Sequence, residues 1–339
     1  MKIAVDARGG DNAPREIVRG AIRASREYGL SLLLVGQEDR VRAELRGAEP
    51  VGADIEIVHA SEVVEMSEVP VLALRKKRDS SIRVGLSLVR EGKAASFVSA
   101  GNSGAVVAGG LIIMKKIRGV DRPAITATIP TPHGPVVLID AGANVDCKPA
   151  HLLQFGYMGE AYARKILGIH RPRIGVVSIG EEELKGTDLT RDTGELFRRT
   201  GLRFIGNVEG RDFFAGKADV FVCDGFVGNV ALKTMEGMAQ ALGQFLKNEI
   251  GKSTMARLGA MLAGGAIRGV KNKLDYEEYG GAPLLGVRGG IVICHGSSGE
   301  RAIMNGIRAA GSLARFEVDE EIARSIASRG HIAGEAARL

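Results

Sequence analysis

The sequence is poor in aromatic residues and in cysteine. It has no tryptophan and five tyrosines, so few side chains can stack on nucleic-acid bases, and we expect no nucleic-acid partner. The three cysteines, Cys147, Cys223 and Cys294, are scattered and form no CxxC pair. An odd, dispersed set argues against a disulfide framework and against a zinc site of paired cysteines, and it fits a reducing cytoplasm.

Long hydrophobic runs are also missing. No apolar stretch approaches the ~18 residues of a membrane-spanning helix, and the N-terminal stretch MKIAVDARGGD lacks the apolar core of a signal peptide. The net charge of +6, from 46 basic and 40 acidic residues, is modest. Such an excess permits an anionic substrate or an anionic membrane surface without requiring either. We therefore expect a cytoplasmic protein.

The common nucleotide and catalytic signatures are absent from the sequence. No two of the 47 glycines lie two positions apart, which excludes a GxGxxG fingerprint. The tripeptide GKS at 251–253 resembles the end of a P-loop, but Leu246 occupies the position of the first glycine. Neither GxSxG nor HExxH occurs. We expect a protein that uses no metal and no cofactor.

Short apolar runs alternate with segments of helical spacing along the whole chain. Ten runs are strand candidates: 2–7, 31–36, 55–60, 95–100, 124–129, 136–141, 173–180, 203–208, 219–225 and 290–296. This alternation predicts a single α/β unit over residues 1–339, a mostly parallel sheet flanked by helices. The runs at 124–129 and 136–141 are joined by a short, turn-rich linker, which predicts a small antiparallel hairpin. Residues 61–92 are interpreted as a long charged connection.

Glycine and polar side chains follow six of these strands. The segments are DARGGDNAP (6–14), SAGNSGA (99–105), DAGANVD (140–146), SIGEEELKG (178–186), CDGFVGN (223–229) and CHGSSGE (294–300). Glycine allows a ligand to approach the backbone, and helix N-termini offer free N–H groups to anions. Because ligands of open α/β sheets bind at the carboxyl ends of the strands, we expect the six segments to meet at one rim around a small anion.

Two residue types in these segments are candidate reactive groups. Cys223 and Cys294 end apolar strands, where inert buried thiols are common, and a structural role is also favoured for Cys147, although it precedes Lys148. His295 follows a strand and precedes two serines. It is equally compatible with an anion donor or base and with a hydrogen-bonded structural histidine.

Residues 251–274 contain five basic residues and no acid. At helical spacing Met255, Leu258 and Leu262 share one face, and Arg257, Arg268 and Lys271 lie opposite. This pattern is typical of a protruding amphipathic segment that lies on a membrane surface, and an ordinary dimer helix is the alternative. Five glycines favour two short helices over one long helix.

Nine segments together resemble the bacterial phosphate acyltransferase family, the acyl-ACP:phosphate transacylases. They are MKIAVDARGGDNAP, EMSEVPVLALRKKRDSS, FVSAGNSGA, DRPAI, DAGANVDCKP, FIGNVEGRD, DGFVGNVALKTMEG, LDYEEYGGAPLLG and HGSSG, in the family's order over the length of the chain. The departures from the family's pattern are small: Arg8 in place of methionine, Ser103 and Val227 in place of threonine, and GEEELKGTD (180–188) in place of a pattern closer to GTEEGKGNE.

The resemblance implies a reaction, a fold and partners. Inorganic phosphate attacks the thioester of a fatty acyl-carrier protein and yields acyl phosphate, which feeds the downstream membrane glycerol-3-phosphate acyltransferase of phospholipid synthesis. The implied fold is similar to those of phosphotransacetylase and isopropylmalate dehydrogenase. The family also implies a homodimer and peripheral association with an anionic membrane surface.

Site roles follow from that chemistry, because a nucleophile that is already an anion needs positioning and charge stabilisation. Lys185, Asn229 and Asp224 are the candidate catalytic residues, as oxyanion donor, carbonyl or phosphate donor, and orienting group or proton acceptor. The predicted phosphate-binding residues are Gly101, Asn102, Ser103, Gly104, His295, Gly296, Ser297 and Ser298. The residues predicted to shape the site are Asp6, Gly9, Gly10, Asp11 and Asn144. Each acid is equally compatible with a helix cap or a turn.

Several alternatives stay open from sequence. The acidic carrier protein has two candidate basic faces, RKKR at 75–78 and the series Arg15, Arg19, Arg23 and Arg26, and either is compatible with a merely solvated face. A dehydrogenase of the β-decarboxylating type and a non-enzymatic anion-binding or membrane-scaffolding protein are the competing functions.

Overall fold

The computed structural model describes residues 1–267, 269 and 280–336, with side chains up to residue 328. The strands are β1 (Lys2–Asp6), β2 (Ser31–Gly36), β3 (Ile55–His59), β4 (Ser96–Ser99), β5 (Ala124–Ile129), β6 (Val136–Ile139), β7 (Ile174–Val177), β8 (Phe204–Val208), β9 (Val220–Val222), β10 (Ala282–Leu285) and β11 (Gly290–Ile293).

The helices are α1 (Arg15–Tyr28), α2 (Glu38–Gly47), α3 (Pro70–Lys76), α4 (Ser81–Arg90), α5 (Ser103–Gly109), α6 (Pro149–Lys165), α7 (Asp188–Arg198), α8 (Gly225–Gly251), α9 (Thr254–Leu262), α10 (Glu300–Arg315) and α11 (Val318–Ala336). A π-helical turn at Gly110–Met114 extends α5, and a 3₁₀ turn spans Gly210–Phe214.

All ten predicted strands are confirmed, with ends that differ by a few residues. The eleventh strand, β10, escaped sequence analysis because it is four residues long, contains Pro283 and follows two glycines. The connection at 61–92 also holds more structure than expected, since α3 and α4 lie within it. Pro70 occupies the first position of α3, where its missing N–H leaves no helical hydrogen bond unmade.

One eleven-stranded sheet has the order β3-β2-β1-β4-β11-β10-β5-β6-β9-β7-β8. The first five strands in this order are mutually parallel. β10 is antiparallel to both β11 and β5, and β5 and β6 form the predicted antiparallel hairpin. β6, β9, β7 and β8 are then parallel to one another and run opposite to β1.

The reversal of strand direction corrects the expectation of a single rim. The segments after β1, β4 and β11 leave the sheet at one edge, and those after β6, β9 and β7 leave it at the opposite edge. The hairpin itself carried this signal, since its two strands have opposite directions. The six polar segments therefore form two groups of three.

Helices cover both faces of the sheet. Ile3 and Val5 belong to the core on one face, with α1, α6 and α10, whereas Ala4 belongs to the core on the other face, with α3, α4 and α5. This is the alternation of side chains along a strand. Ile125 packs on the core of α4 and α5 and also on a second core, against which Leu232 of α8 packs too, so α5 and α8 cover the same face.

The segment predicted to protrude is described in part. In the described part, α8 has 27 residues, of which only Gly225 and Gly228 are buried, and α9 follows it after a break at 252–253. Whether residues 251–274 form two short helices stays a prediction, and Arg268 and Lys271 lie outside the described residues. In the part of the chain that the structure describes, no helix has the length and apolar character needed to cross a membrane.

Candidate functional site

The first group of polar segments lies at the ends of β1, β4 and β11. Asp6 is buried, and its carboxylate accepts hydrogen bonds from the Ser99 hydroxyl at 2.7 Å and from the Arg8 amide at 3.1 Å. Burial raises the pKa of Asp6 above its ordinary value, although hydrogen bonds from Ser81 and Ser99 oppose the shift. A Cβ on Gly9 would lie 2.6 Å from the amide nitrogen of Gly101, so the two loops touch only because both residues are glycine.

The loop after β11 is tied to the loop after β1. The Asp11 amide donates to the Gly296 carbonyl at 2.8 Å, and a Cβ on Gly10 would lie 3.0 Å from the same oxygen. His295 is exposed, and its Nδ1 lies 2.7 Å from the Ser297 hydroxyl. The predicted phosphate-binding residues of two separate segments are thus brought to one edge, together with the predicted shaping residues Asp6, Gly9, Gly10 and Asp11.

Asn102 anchors the loop after β4. Its side-chain oxygen accepts from the Ala105 amide at 3.0 Å and caps α5. Its Nδ2 donates to the carbonyls of Glu65, Met66 and Glu68 at 3.1–3.2 Å. The Asn102 side chain is therefore committed to internal bonds, while Ser103 and Gly104 are exposed at the start of α5.

Ser298 is a buried polar side chain of the β11 loop. Its amide donates to the His295 carbonyl at 3.0 Å, which closes a tight turn around Gly296 and Ser297. The turn holds the loop in one shape before any ligand binds.

The second group lies at the ends of β6 and β9 and is organised by Asp140. This buried carboxylate accepts from the amides of Ile125 at 3.0 Å, Ala143 at 2.9 Å and Asn144 at 2.7 Å. Asn144 adds a bond from its Nδ2 at 2.8 Å and donates to the Pro123 carbonyl at 2.7 Å. Burial raises the pKa of Asp140, and the amide bonds oppose the shift. Sequence analysis placed Asn144 in the site but missed Asp140, the first residue of the same segment.

Asp224 and Asn229 lie against this turn. Asp224 accepts from the amides of Phe226 at 2.9 Å and Val227 at 3.0 Å, so it caps α8, the role that sequence left open beside catalysis. Asn229 is exposed on the first turn of α8, and a Cβ on Gly142 would lie 3.5 Å from its Oδ1.

Lys185 is exposed on the loop after β7, beside β9 at the same edge. The side-chain amide of Asn207, on β8, donates to the Glu182 carbonyl at 2.9 Å and to the Lys185 carbonyl at 3.4 Å. Asn207 therefore holds the loop that carries Lys185. Sequence analysis missed this role, although Asn207 lies in the segment FIGNVEGRD that carries part of the resemblance.

The thiols are unsuited to nucleophilic attack. Burial raises the pKa of Cys147 and of Cys294 to about 12, and the pKa of the buried Cys223 well above its ordinary value. A thiol with such a pKa is protonated at neutral pH. The geometry agrees with the structural role that was favoured for all three.

The predicted membrane face is exposed. Met255, Leu258 and Leu262 are 77%, 53% and 83% exposed on α9, and Arg257 donates to the Gly251 carbonyl at 2.8 Å. Apolar side chains are also exposed along α8, namely Phe226, Val227, Val230, Met238, Leu242, Phe245 and Leu246.

Comparison with known families decides between the functions that the sequence left open. A family model described as "Fatty acid synthesis protein" matches residues 1–321. The phosphate acyltransferase of Pelotomaculum thermopropionicum is 53% identical over 328 residues, 97% of this chain and 96% of that protein. The phosphate acyltransferase of Pelobacter propionicus is 51% identical over 332 residues, 98% of this chain and 96% of that protein.

The chain belongs to the phosphate acyltransferase family. Membership makes it an acyltransferase of fatty acid and phospholipid synthesis, and it decides against the dehydrogenase and the non-enzymatic alternatives.

The fold of this phosphate acyltransferase family member is shared with distant enzymes. A phosphotransacetylase from Streptococcus pyogenes superposes with a TM-score of 0.62 at 20% identity, over 96% of this chain and 94% of that chain. A 4-hydroxythreonine-4-phosphate dehydrogenase from Klebsiella pneumoniae superposes with a TM-score of 0.53 at 16% identity, over 92% of this chain and 99% of that chain. The predicted likeness to phosphotransacetylase is confirmed.

Proposed function

We propose that this acyltransferase moves a fatty acyl group from acyl-carrier protein to inorganic phosphate, at a cleft between the two groups of loops. The observation that carries the proposal is that α5 and α8 cover the same face of the sheet, with Ile125 packed between their cores. Neighbouring strands rotate by about 20°, so the five strand steps from β4 to β9 turn the second edge by roughly 100° relative to the first. Two edges turned in this way can flank one cleft.

In this proposal the first group binds phosphate. The amides of Gly101, Ser297 and Ser298 already donate to the Ser99 hydroxyl, to Nδ1 of His295 and to the His295 carbonyl. The proposed donors are therefore the amides of Ser103, Gly104 and Gly296, with the Ser103 hydroxyl and His295 beside them. The loops are held by their own hydrogen bonds before phosphate arrives, so little reorganisation is needed on binding. The phosphate oxygen attacks the thioester carbon, the carbonyl becomes an oxyanion, and the carrier thiolate leaves and takes up a proton.

The second group stabilises the oxyanion in this proposal. Lys185 and Asn229 supply a positive charge and an amide donor, and both are exposed to an incoming thioester. Asp224 fixes the start of α8 through its cap and so orients Asn229. Asp140 and Asn144 hold the neighbouring turn.

The experiment is to incubate the protein with palmitoyl-acyl-carrier protein and phosphate and to follow acyl phosphate. We expect turnover in the native chain and a loss of about a hundredfold or more in Lys185→Ala and in Asn229→Ala. Lys247→Ala and Asn248→Ala, on the exposed side of α8, are matched controls that should keep full turnover. Native rates in both site variants would contradict the roles proposed for Lys185 and Asn229. If the native chain formed no acyl phosphate, the proposed reaction itself would be contradicted.

The proposal includes a homodimer and contact with an anionic membrane, where the acyl phosphate would pass to the glycerol-3-phosphate acyltransferase. A second copy is proposed to cover the exposed apolar side chains of α8, and light scattering of native and Phe245→Asp chains tests this.

The apolar face of α9 is proposed to enter the lipid surface. Leu258→Ser with Leu262→Ser should lower binding to anionic vesicles, whereas Val51→Ser, at another highly exposed apolar residue, should not.

A further inference from the structure

A mixed apolar and basic surface lies beside the loop after β4. We call it the α3 patch, and its residues are Met66, Val69, Val71, Leu72, Arg75, Lys76 and Arg78. The four apolar side chains are 40–61% exposed. The three cations are exposed and form no hydrogen bond or ion pair with residues that the structure describes. An exposed apolar group next to unpaired charges of one sign is typical of an interaction surface.

The α3 patch is fixed to the proposed phosphate loops. Asn102 donates to the carbonyls of Glu65, Met66 and Glu68, the turn that leads into α3. The ring of Pro70 lies against Gly104, where a Cβ would be 2.7 Å from Cγ of the proline. A partner seated on the α3 patch would therefore stand next to the start of α5.

We propose that the α3 patch is the docking surface for acyl-carrier protein, an inference that rests on the proposed function. The partner that fits is a small, strongly acidic protein that presents its substrate on a flexible arm. Acidic side chains of the carrier would pair with Arg75, Lys76 and Arg78, and Val69 and Leu72 would supply apolar contact. The arm would enter beside Ser103, at the loops that hold phosphate in the proposed reaction.

The structure separates this surface from the other basic face considered from sequence. On α1, Arg23 pairs with Glu27 at 3.0 Å and with Glu300 at 3.1 Å. Arg26 donates to the Val51 carbonyl at 2.8 Å and also to the Glu49 carbonyl. Arg23 and Arg26 are already bound within the chain, so a partner would have to break existing contacts to use them. Arg15 and Arg19 are exposed, and α1 has no exposed large apolar side chain beside them, unlike the α3 patch.

One cation of the RKKR run is also committed internally. Lys77 pairs with Glu68 at 2.6 Å and donates to the Val63 carbonyl at 2.6 Å, which braces the turn before α3. Among the described residues, its three neighbours in the run have no such bonds. The internal role of Lys77 explains why the docking charge falls on Arg75, Lys76 and Arg78 only.

The test measures the KM for palmitoyl-acyl-carrier protein and the affinity for a fluorescent carrier protein. In the triple variant Arg75→Glu, Lys76→Glu, Arg78→Glu we expect both to weaken about tenfold or more, with kcat and the KM for phosphate within about twofold of native. Raising the salt from about 0.05 M to about 0.5 M should weaken native binding and leave the variant little changed. Leu72→Gln should weaken carrier binding without altering its salt dependence.

The matched control is Arg15→Glu with Arg19→Glu, two exposed cations on α1. This variant should bind carrier as the native chain does, and thermal unfolding should show all the variants folded. Unchanged carrier affinity in the triple variant, or a loss in the α1 variant alone, would overturn the proposal. So would a triple variant that keeps carrier affinity but loses binding to anionic vesicles or changes oligomeric state. Carrier binding without acyl phosphate formation would contradict the proposed function and leave the docking surface standing.

Discussion

Gly228 on the first turn of α8 packs directly over the main-chain carbonyl of Asp140. A Cβ added to Gly228 would overlap that oxygen, so the start of α8 can rest on the end of β6 only with glycine at this position. The contact is also what places Asn229 beside the turn that Asp140 organises.

Gly228→Ala should therefore lower the free energy of unfolding by about 3 kcal/mol, at the upper end of the cost of overpacking, and should reduce turnover. The reason is that the backbone of α8 must move away from β6. Urea unfolding gives the first quantity and acyl phosphate formation the second. Gly237→Ala is the control, because its Cβ would meet nothing within 4 Å, and it should stabilise the helix by about 0.5–1 kcal/mol. Equal stabilities for the two variants would refute this account of the contact.

Asn102→Asp should destabilise the protein at least as much as Asn102→Ala, each by about 1–3 kcal/mol. Aspartate keeps the cap of α5 but turns a negative charge toward the carbonyls of Glu65, Met66 and Glu68. Thr187→Ala, which loses one cap bond of α7, should cost about 1 kcal/mol. If the urea midpoint of Asn102→Asp equals that of the native protein, only the helix cap contributes to stability. The bonds from Asn102 Nδ2 to residues 65–68 would then contribute nothing.

Asn207→Ala should lower kcat about tenfold with a smaller change in the KM for acyl-carrier protein, because the loop of Lys185 loses its two tethers. Asn207→Asp has nearly the same shape and no amide donor, so we expect the same loss. Steady-state kinetics at varied carrier concentration measure the split between kcat and KM. Native kinetics in both variants, with Lys185→Ala inactive, would show that the loop holds its position without Asn207.

Native protein should react very slowly with iodoacetamide at pH 8. A pKa of about 12 for Cys147 leaves a thiolate fraction about a thousandfold below that of an ordinary cysteine. Mass spectrometry of the native chain should find little labelling of any cysteine, and the urea-unfolded chain should be labelled at all three. Cys147→Ala should keep turnover. Fast labelling of native Cys147 that abolishes activity would revive it as a reactive group.

The pattern of elements was predictable because it depends on local sequence. Each of the ten predicted strands is a short apolar run, and the cap at Asn102 follows from an amide placed at a strand exit before a helix. The turn at Gly101 and the cap at Asp224 are likewise local features. For the same reason the resemblance to the family was visible in nine short segments.

The gathering of the site was less predictable because it depends on strand direction. β10 has four residues and no alternation, and it joins β11 to β5 only through pairing with residues far along the chain. Asp140 and Asn207 were missed for a related reason. Asp140 holds Asn144, which bonds to the Pro123 carbonyl, and Asn207 bonds to the carbonyls of Glu182 and Lys185. These carbonyls lie far from them in sequence, so no local pattern predicts the contacts.

By itself the sequence determined that this is an α/β phosphate acyltransferase family member with glycine-rich polar strand exits. These properties reside in local runs and in residue chemistry. Only the tertiary structure decided that the exits divide between two edges and that Asn207 holds the Lys185 loop. It also showed that, among the described residues, Arg23 and Arg26 have partners whereas Arg75, Lys76 and Arg78 have none. Hydrogen bonds and ion pairs between distant residues settle such questions, because they form only once the sheet has brought their partners together.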